Sequence, residues 1–144
     1  MRTRIIVRIV FLSLLAHGAQ AAQWFSLASR DSRADETVVE VDLQSVRLRG
    51  DSGEAVIRVT YDVLQPHPAG YGYRSFIATV QVHCRQQAMA VESAAYFARP
   101  QGDGVRVGAD STGRQAGMPP RLLESLPPHQ RQALLRAACA TTGP

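Results

Sequence analysis

The residues with the most specific chemical signature in this 144-residue chain are Arg49, Gly50 and Asp51. A guanidinium and a carboxylate on either side of a glycine form the tripeptide that integrins recognise, and this one falls between two predicted strands. Gly50–Gly53 also has the composition of an ordinary turn. The stretch therefore predicts either a receptor-binding loop or a plain hairpin turn.

A second candidate for partner binding is the loop Gln65–Arg74, in which Tyr71, Tyr73 and Arg74 stand among prolines and glycines. Tyrosine and arginine are enriched at the energetic centres of protein interfaces, and loops carry binding residues more often than strands do. The alternative is structural, because tyrosines near the start of a strand often pack over the edge of a sheet.

Residues suited to catalysis are few, and no sequence motif for a nucleophile, phosphate loop or zinc site is present. His83 adjoins Cys84, but neighbours on a strand point to opposite faces, so the imidazole does not reach the thiol. Glu40 and Asp42 have the spacing of a solvated strand face. Gly102–Gly104 predicts a turn, since it lacks the further carboxylates of a calcium loop. We therefore expect no enzyme, no cofactor and no metal ion.

The two cysteines of the chain, Cys84 and Cys139, predict a disulfide, because an even number of cysteines in an exported chain favours pairing. Closing the 55-position span between them would stabilise the fold by about 4 kcal/mol in the chain-entropy model. A metal-binding or catalytic thiol is the alternative, but no second pair of ligands accompanies the cysteines.

The first 21 residues have the three parts of a secretory signal peptide. These parts are a basic start with Arg2, Arg4 and Arg8, the apolar run Ile9–Ala16, and the small-x-small cleavage pattern Ala19-Gln20-Ala21. No cysteine stands directly after the apolar run, at the predicted cleavage site, so we expect no lipoprotein. The mature chain, residues 22–144, is expected to be a single domain without a membrane-spanning segment.

The charge of the chain changes when the predicted signal peptide is removed. The full sequence has 16 arginines, no lysine and 12 acidic residues, which gives a net charge of +4. Residues 1–21 hold three of the arginines and no acid, so the mature part is near +1. A nucleic-acid partner thereby loses its main electrostatic support, and we expect none.

Alternation of apolar and polar residues predicts four strands and a short fifth, Val105–Val107. The residues expected to face the core are Val39, Val41 and Leu43, then Ala55, Ile57, Val59, Tyr61 and Val63, then Phe76, Ala78, Val80, Val82 and Cys84, and finally Met89, Val91, Ala95 and Phe97. The spacers between these runs are short, which favours antiparallel hairpins.

The C-terminal part predicts a surface loop over residues 109–120 and then a helix over Gln130–Ala140, with Pro128 in its first turn. Its apolar stripe consists of Leu134, Leu135, Ala138 and Cys139. The expected fold class is α+β, an antiparallel sheet of about five or six strands with a C-terminal helix stapled to its buried face by the disulfide. Trp24 and Phe25 are expected to cap the core.

The mature chain resembles the surface-adhesin protein E-like family of Gram-negative exported proteins over roughly residues 24–140. The resemblance is carried by Trp24, Val41-Asp42, Ser45-Val46, Val59-Thr60-Tyr61-Asp62, Tyr73-Arg74-Ser75-Phe76, Cys84, Tyr96 and Cys139. It implies an antiparallel sheet with a disulfide-bonded C-terminal helix, a homodimer, and adhesion to extracellular-matrix proteins of a host. The chain departs from the family at Arg58-Val59, where tryptophan is frequent.

The expected function is that of an exported, non-enzymatic binding domain, located in the periplasm or at the cell surface, whose partners are proteins of the matrix or the envelope. The alternative is a periplasmic structural or accessory protein of the envelope without a host ligand.

Overall fold

The computed structural model describes residues 22–27, 37–111 and 122–140. These residues form one six-stranded antiparallel sheet and one C-terminal helix, which confirms the predicted fold class. The strands are β1 (Trp24–Ser26), β2 (Val38–Arg49), β3 (Ser52–Pro66), β4 (Gly72–His83), β5 (Ala88–Phe97) and β6 (Arg106–Ser111), and the helix is α1 (Pro128–Ala140). The predicted signal peptide and residues 112–120 of the predicted loop lie outside the described residues.

The sheet is a meander in which every strand pairs with its neighbour in the chain, in the order β1-β2-β3-β4-β5-β6. Two residues, Gly50 and Asp51, join β2 to β3, and residues 84–87 join β4 to β5. Connections this short can join only antiparallel strands. Within the described residues, no helix has the length and hydropathy needed to cross a membrane.

One face of the sheet carries the hydrophobic core. Val41, Ile57 and Val80 lie on three adjacent strands and are fully buried, as the alternation predicts. Leu134 and Ala138 of α1 are fully buried against this face, chiefly over β2. Burial of one valine or leucine side chain stabilises a fold by roughly 1.5–3 kcal/mol, so the helix is held by apolar packing as well as by its covalent bond.

The prediction that Val63 faces the core is wrong. Thr60 pairs with Ser75 and Gln65 pairs with Tyr73, so four residues of β3 stand opposite one residue of β4. This irregularity ends the alternation, and Val63 is 63% exposed. The strand pattern predicts a face only as long as the two strands keep a one-to-one register.

The prediction for the second half of β5 is also wrong. Thr79 pairs with Ser93 and Val80 with Val91, so a β-bulge at Glu92 shifts the alternation by one residue. Ala94 and Tyr96 are therefore buried, in place of the expected Ala95 and Phe97, which are only half-buried.

The last strand begins and ends later in the chain than the sequence indicates. Val105, predicted as its first residue, is exposed. β6 runs from Arg106 to Ser111, so residues 109–111 are strand where the composition predicts a loop. Small and polar residues are compatible with an edge strand, because one side of such a strand has no neighbour in the sheet.

A disulfide joins Cys84, just after β4, to Cys139 in the last turn of α1, with 5.8 Å between the Cα atoms. The prediction of a stapled helix is confirmed. The helix begins at Pro128, where a proline costs no hydrogen bond. Its other end is fixed near the start of β2, because the Gln130 side chain donates a hydrogen bond of 2.8 Å to the Thr37 carbonyl.

Trp24 and Phe25 do not cap the helix-covered core. Trp24 lies on the other face of the sheet, 4.3 Å above the Arg58 guanidinium, which also forms two hydrogen bonds of 2.7 and 2.9 Å to the Glu40 carboxylate. Phe25 is 52% exposed. Arg58 thus ties β1, β2 and β3 together through a cation–π contact and an ion pair.

Candidate functional site

The predicted binding residues lie at opposite ends of the sheet. We call the end formed by the turns at 50–51 and 84–87 the turn end, and the end formed by the β3–β4 loop, His67–Tyr71, the loop end. β4 separates them with 12 residues, which corresponds to about 40 Å of extended chain. The structure therefore does not combine the two candidate sets into one site.

At the turn end, Arg49 and Ser52 pair with each other and leave Gly50 and Asp51 as a two-residue turn. Gly50 has a φ of +62°, a left-handed conformation that glycine adopts without a steric penalty. The Asp51 carbonyl accepts a hydrogen bond of 2.7 Å from the Cys84 backbone N–H of the neighbouring turn. The tripeptide thus forms the exposed tip of a hairpin whose backbone is fixed from the side.

The Asp51 carboxylate forms an ion pair of 2.5 Å with Arg85. The side chains are 53% and 83% exposed, so solvent screens the pair and it contributes at most about 1 kcal/mol to stability. The contact orients the carboxylate and leaves it accessible to a partner.

Besides Arg85, the turn end contains Arg47 and Arg49 of β2. Arg47 donates from Nη1 to the carbonyls of Gln44 and Val46 in its own strand. Within the described residues, no hydrogen bond or ion pair holds the Arg49 guanidinium. Glu54, directly opposite Arg47, instead accepts a hydrogen bond of 3.0 Å from the Gln81 amide. The turn end therefore presents an arginine, Arg49, and a carboxylate, Asp51, both exposed to solvent.

At the loop end, Tyr73 belongs to a buried aromatic cluster that also contains His67, Tyr71 and Tyr96. The His67 and Tyr71 rings are stacked with 4.3 Å between centroids, and Tyr73 meets Tyr96 edge-to-face at 4.8 Å. Gly108 is required beneath Tyr71, since a Cβ there would lie 2.2 Å from its ring. These contacts favour the structural interpretation for Tyr71 and Tyr73.

Arg74, the third candidate of this loop, is half-buried and donates from Nη2 to the Asp62 carbonyl. This contact holds the Arg74 side chain against the irregular part of β3. Arg74 is therefore less available to a partner than the composition of the loop suggests.

One carboxylate oxygen of Asp110 joins the aromatic cluster to the edge strand. Oδ2 accepts a hydrogen bond of 3.0 Å from the Tyr96 hydroxyl and lies 3.0 Å from His67 Nε2. The Ala69 backbone N–H donates to His67 Nδ1 at 3.1 Å, which places the ring proton on Nε2. Because both ring nitrogens are occupied, His67 has no nitrogen left to act as a general base.

The sequence pattern does not predict this cluster. Asp110 falls in the stretch predicted as loop, and it stands 43 positions from His67. The signal that could have indicated it is the concentration of aromatic residues: all four tyrosines of the chain, Tyr61, Tyr71, Tyr73 and Tyr96, take part in it.

Burial raises the pKa of each of these phenols. For Tyr96 the hydrogen bond to Asp110 and the negative charge of that carboxylate raise the pKa further. Burial, with the neighbouring Tyr61 and Tyr71, raises the pKa of Tyr73 to about 12. The phenols therefore remain neutral around neutral pH and act as hydrogen-bond donors and packing groups.

The remaining chemical candidates are also accounted for by structural contacts. Cys84 is oxidised in the disulfide, and His83 Nδ1 lies 3.0 Å from the Ser52 hydroxyl. Glu40 is engaged by Arg58 on the outer face of the sheet. In the part of the chain that the structure describes, no three histidine, cysteine or acidic side chains are grouped as metal ligands.

An antiparallel meander with one C-terminal helix bonded to it by a disulfide, and with an exposed charged hairpin tip, defines a small α+β domain. A family model for surface-adhesin protein E matches residues 24–140, and the chain belongs to that family. No curated protein and no solved structure matches the chain.

Proposed function

We propose that this protein is an exported, non-enzymatic binding protein that attaches to proteins of a host cell or its matrix through the turn end. The observation that carries the proposal is the exposed Arg49-Gly50-Asp51 tip in a chain of an adhesin family. The backbone of the tripeptide is hydrogen-bonded to the neighbouring turn, and a loop that is ordered before binding loses less entropy when a partner binds.

The tip offers two charges of opposite sign to such a partner. The Asp51 carboxylate suits a cationic group of the receptor, such as a bound divalent ion, and the Arg49 guanidinium suits an acidic side chain. This pairing of charges is the chemistry by which integrin-type receptors recognise the tripeptide.

Attachment of cells to the immobilised mature domain tests the proposal. Asp51→Glu keeps the charge and moves the carboxylate outward by one methylene, so we expect a loss of about tenfold or more in apparent affinity. The control is Asp62→Glu, the same exchange at an exposed position of β3 toward the loop end. Equal attachment by the wild type and the Asp51 variant would exclude the turn as the binding site.

The location of the protein distinguishes this proposal from that of a periplasmic accessory protein. Protease treatment of intact cells should release peptides of the domain if it is displayed outside. Complete protection in intact cells, with digestion after the outer membrane is opened, would favour the accessory role instead.

A further inference from the structure

Two consecutive residues of the β4–β5 turn hold Asp51 from different sides. The Cys84 backbone N–H donates to the Asp51 carbonyl at 2.7 Å, and Arg85 Nη2 lies 2.5 Å from Oδ2 of its carboxylate. One contact fixes the backbone of the tip and the other fixes the side chain that would meet a partner.

The turn that provides these contacts is itself anchored. Cys84 is bonded to Cys139 of α1, so the β4–β5 turn is tied to the helix as well as to the sheet. Ser52, next to Asp51, pairs with His83, next to Cys84. Asp51 is therefore attached to a rigid support by groups that lie more than 30 positions away in the chain.

The ion pair leaves part of the carboxylate accessible. Arg85 contacts Oδ2, and within the described residues Oδ1 of Asp51 has no hydrogen-bond partner. A cationic group can therefore approach Oδ1 while Arg85 keeps its contact. This geometry orients the carboxylate for a partner instead of masking it.

We infer that Arg85 is a positioning residue for the binding turn: it holds the Asp51 carboxylate in its binding orientation before the partner arrives. The inference rests on the proposed function and specifies the partner as one that presents a cationic group to Oδ1. A side chain that is already ordered loses less conformational entropy on binding, so the contact should raise the affinity.

The test combines the order of the tip in the free protein with attachment to cells. In Arg85→Ala, we expect the three-bond NMR couplings to Cγ of Asp51 to move toward the values of a freely rotating side chain, and an affinity reduced about two- to fivefold, the range of a solvated ion pair. Arg85→Lys should restore part of the order of Asp51 and part of the affinity, because it keeps the positive charge. Arg106→Ala, an exposed arginine at the opposite end of the sheet, should change neither.

Ionic strength provides a readout that a merely structural role would not affect. Salt screens an exposed ion pair, so the difference in affinity between wild type and Arg85→Ala should narrow in about 1 M NaCl. A persistent difference would contradict positioning by charge.

The outcomes separate this inference from the proposed function. Unchanged order of the Asp51 side chain in Arg85→Ala overturns the inference, and so does reduced order with unchanged attachment, while the proposed function stands in both cases. Failure of the wild-type domain to attach overturns the proposed function and the inference together.

Discussion

His67 Nε2 lies 3.0 Å from Oδ2 of Asp110, a contact that joins the β3–β4 loop to the edge strand β6. Both side chains are largely shielded from solvent. The same oxygen accepts the Tyr96 hydroxyl. A single carboxylate thus satisfies two buried donors from two different parts of the chain, which makes it the polar centre of the loop end.

Removal of this carboxylate should destabilise the fold. Asp110→Ala leaves His67 Nε2–H and the Tyr96 hydroxyl without an acceptor, and we expect a loss of about 2–3 kcal/mol in the free energy of unfolding, measured with urea. Asp110→Asn keeps one acceptor oxygen and should lose less. The exposed Asp62→Ala serves as the control, with an expected change within about 0.5 kcal/mol. Equal stability of Asp110→Ala and the control would contradict the role of Asp110.

The tyrosine cluster predicts a loss of stability at alkaline pH. In the folded protein burial raises the pKa of Tyr73 to about 12 and also raises the pKa of Tyr96, whereas tyrosines in the unfolded chain have a pKa of about 10. Above pH 10 the unfolded state therefore loses protons that the folded state keeps. Stability is fully present below pH 10 and falls from there to pH 12, by up to about 1.4 kcal/mol per pH unit for each such tyrosine.

Absorbance at 295 nm, recorded by rapid mixing, measures this effect directly. Since all four tyrosines of the chain lie in or beside the cluster, the phenolate signal of the folded protein reports on it alone. The same titration in concentrated urea supplies the reference. Coincident folded and unfolded titration curves would contradict the buried cluster.

Gly108 should be intolerant of any side chain. A Cβ would lie 2.2 Å from Cζ of Tyr71, so Gly108→Ala must displace the ring and weaken its stacking on His67. We expect a loss of about 1–3 kcal/mol. In a Tyr71→Ala background the same substitution should cost much less, and a double-mutant cycle measures the difference. If Gly108→Ala destabilised the Tyr71→Ala variant as much as the wild type, the clash with Tyr71 would not be the cause of the lost stability.

The sequence was sufficient for the parts of the fold that depend on local patterns. The alternation places Val41, Ile57 and Val80 in the core, and the even cysteine count predicts the bond between Cys84 and Cys139. A β-bulge has no such local signature, because it depends on how two strands meet, and this is why the faces of β5 were mistaken after Glu92.

For the candidate site, too, the sequence predicts the local features and not the contacts between distant residues. The composition of the Arg49-Gly50-Asp51 turn indicates an exposed tip, and the structure has it there. The contact of Asp51 with Arg85 and that of His67 with Asp110 join residues 34 and 43 positions apart. Neither contact has a local signal in the sequence, since each depends on the topology that brings distant parts of the chain together.

The disulfide should decide whether the helix remains docked. Its loop of 55 positions corresponds to about 4 kcal/mol in the chain-entropy model, a large fraction of the stability of a small domain. The double variant Cys84→Ser/Cys139→Ser should lose about this amount in urea unfolding and should match the reduced wild-type protein, which has the same core. Amide exchange should become faster first in α1, because the packing of Leu134 and Ala138 and the hydrogen bond from Gln130 to Thr37 then hold it on the sheet without a covalent bond. Alkylation of the exported, unreduced protein under denaturing conditions should modify no cysteine, and two modified thiols would contradict the stapled helix.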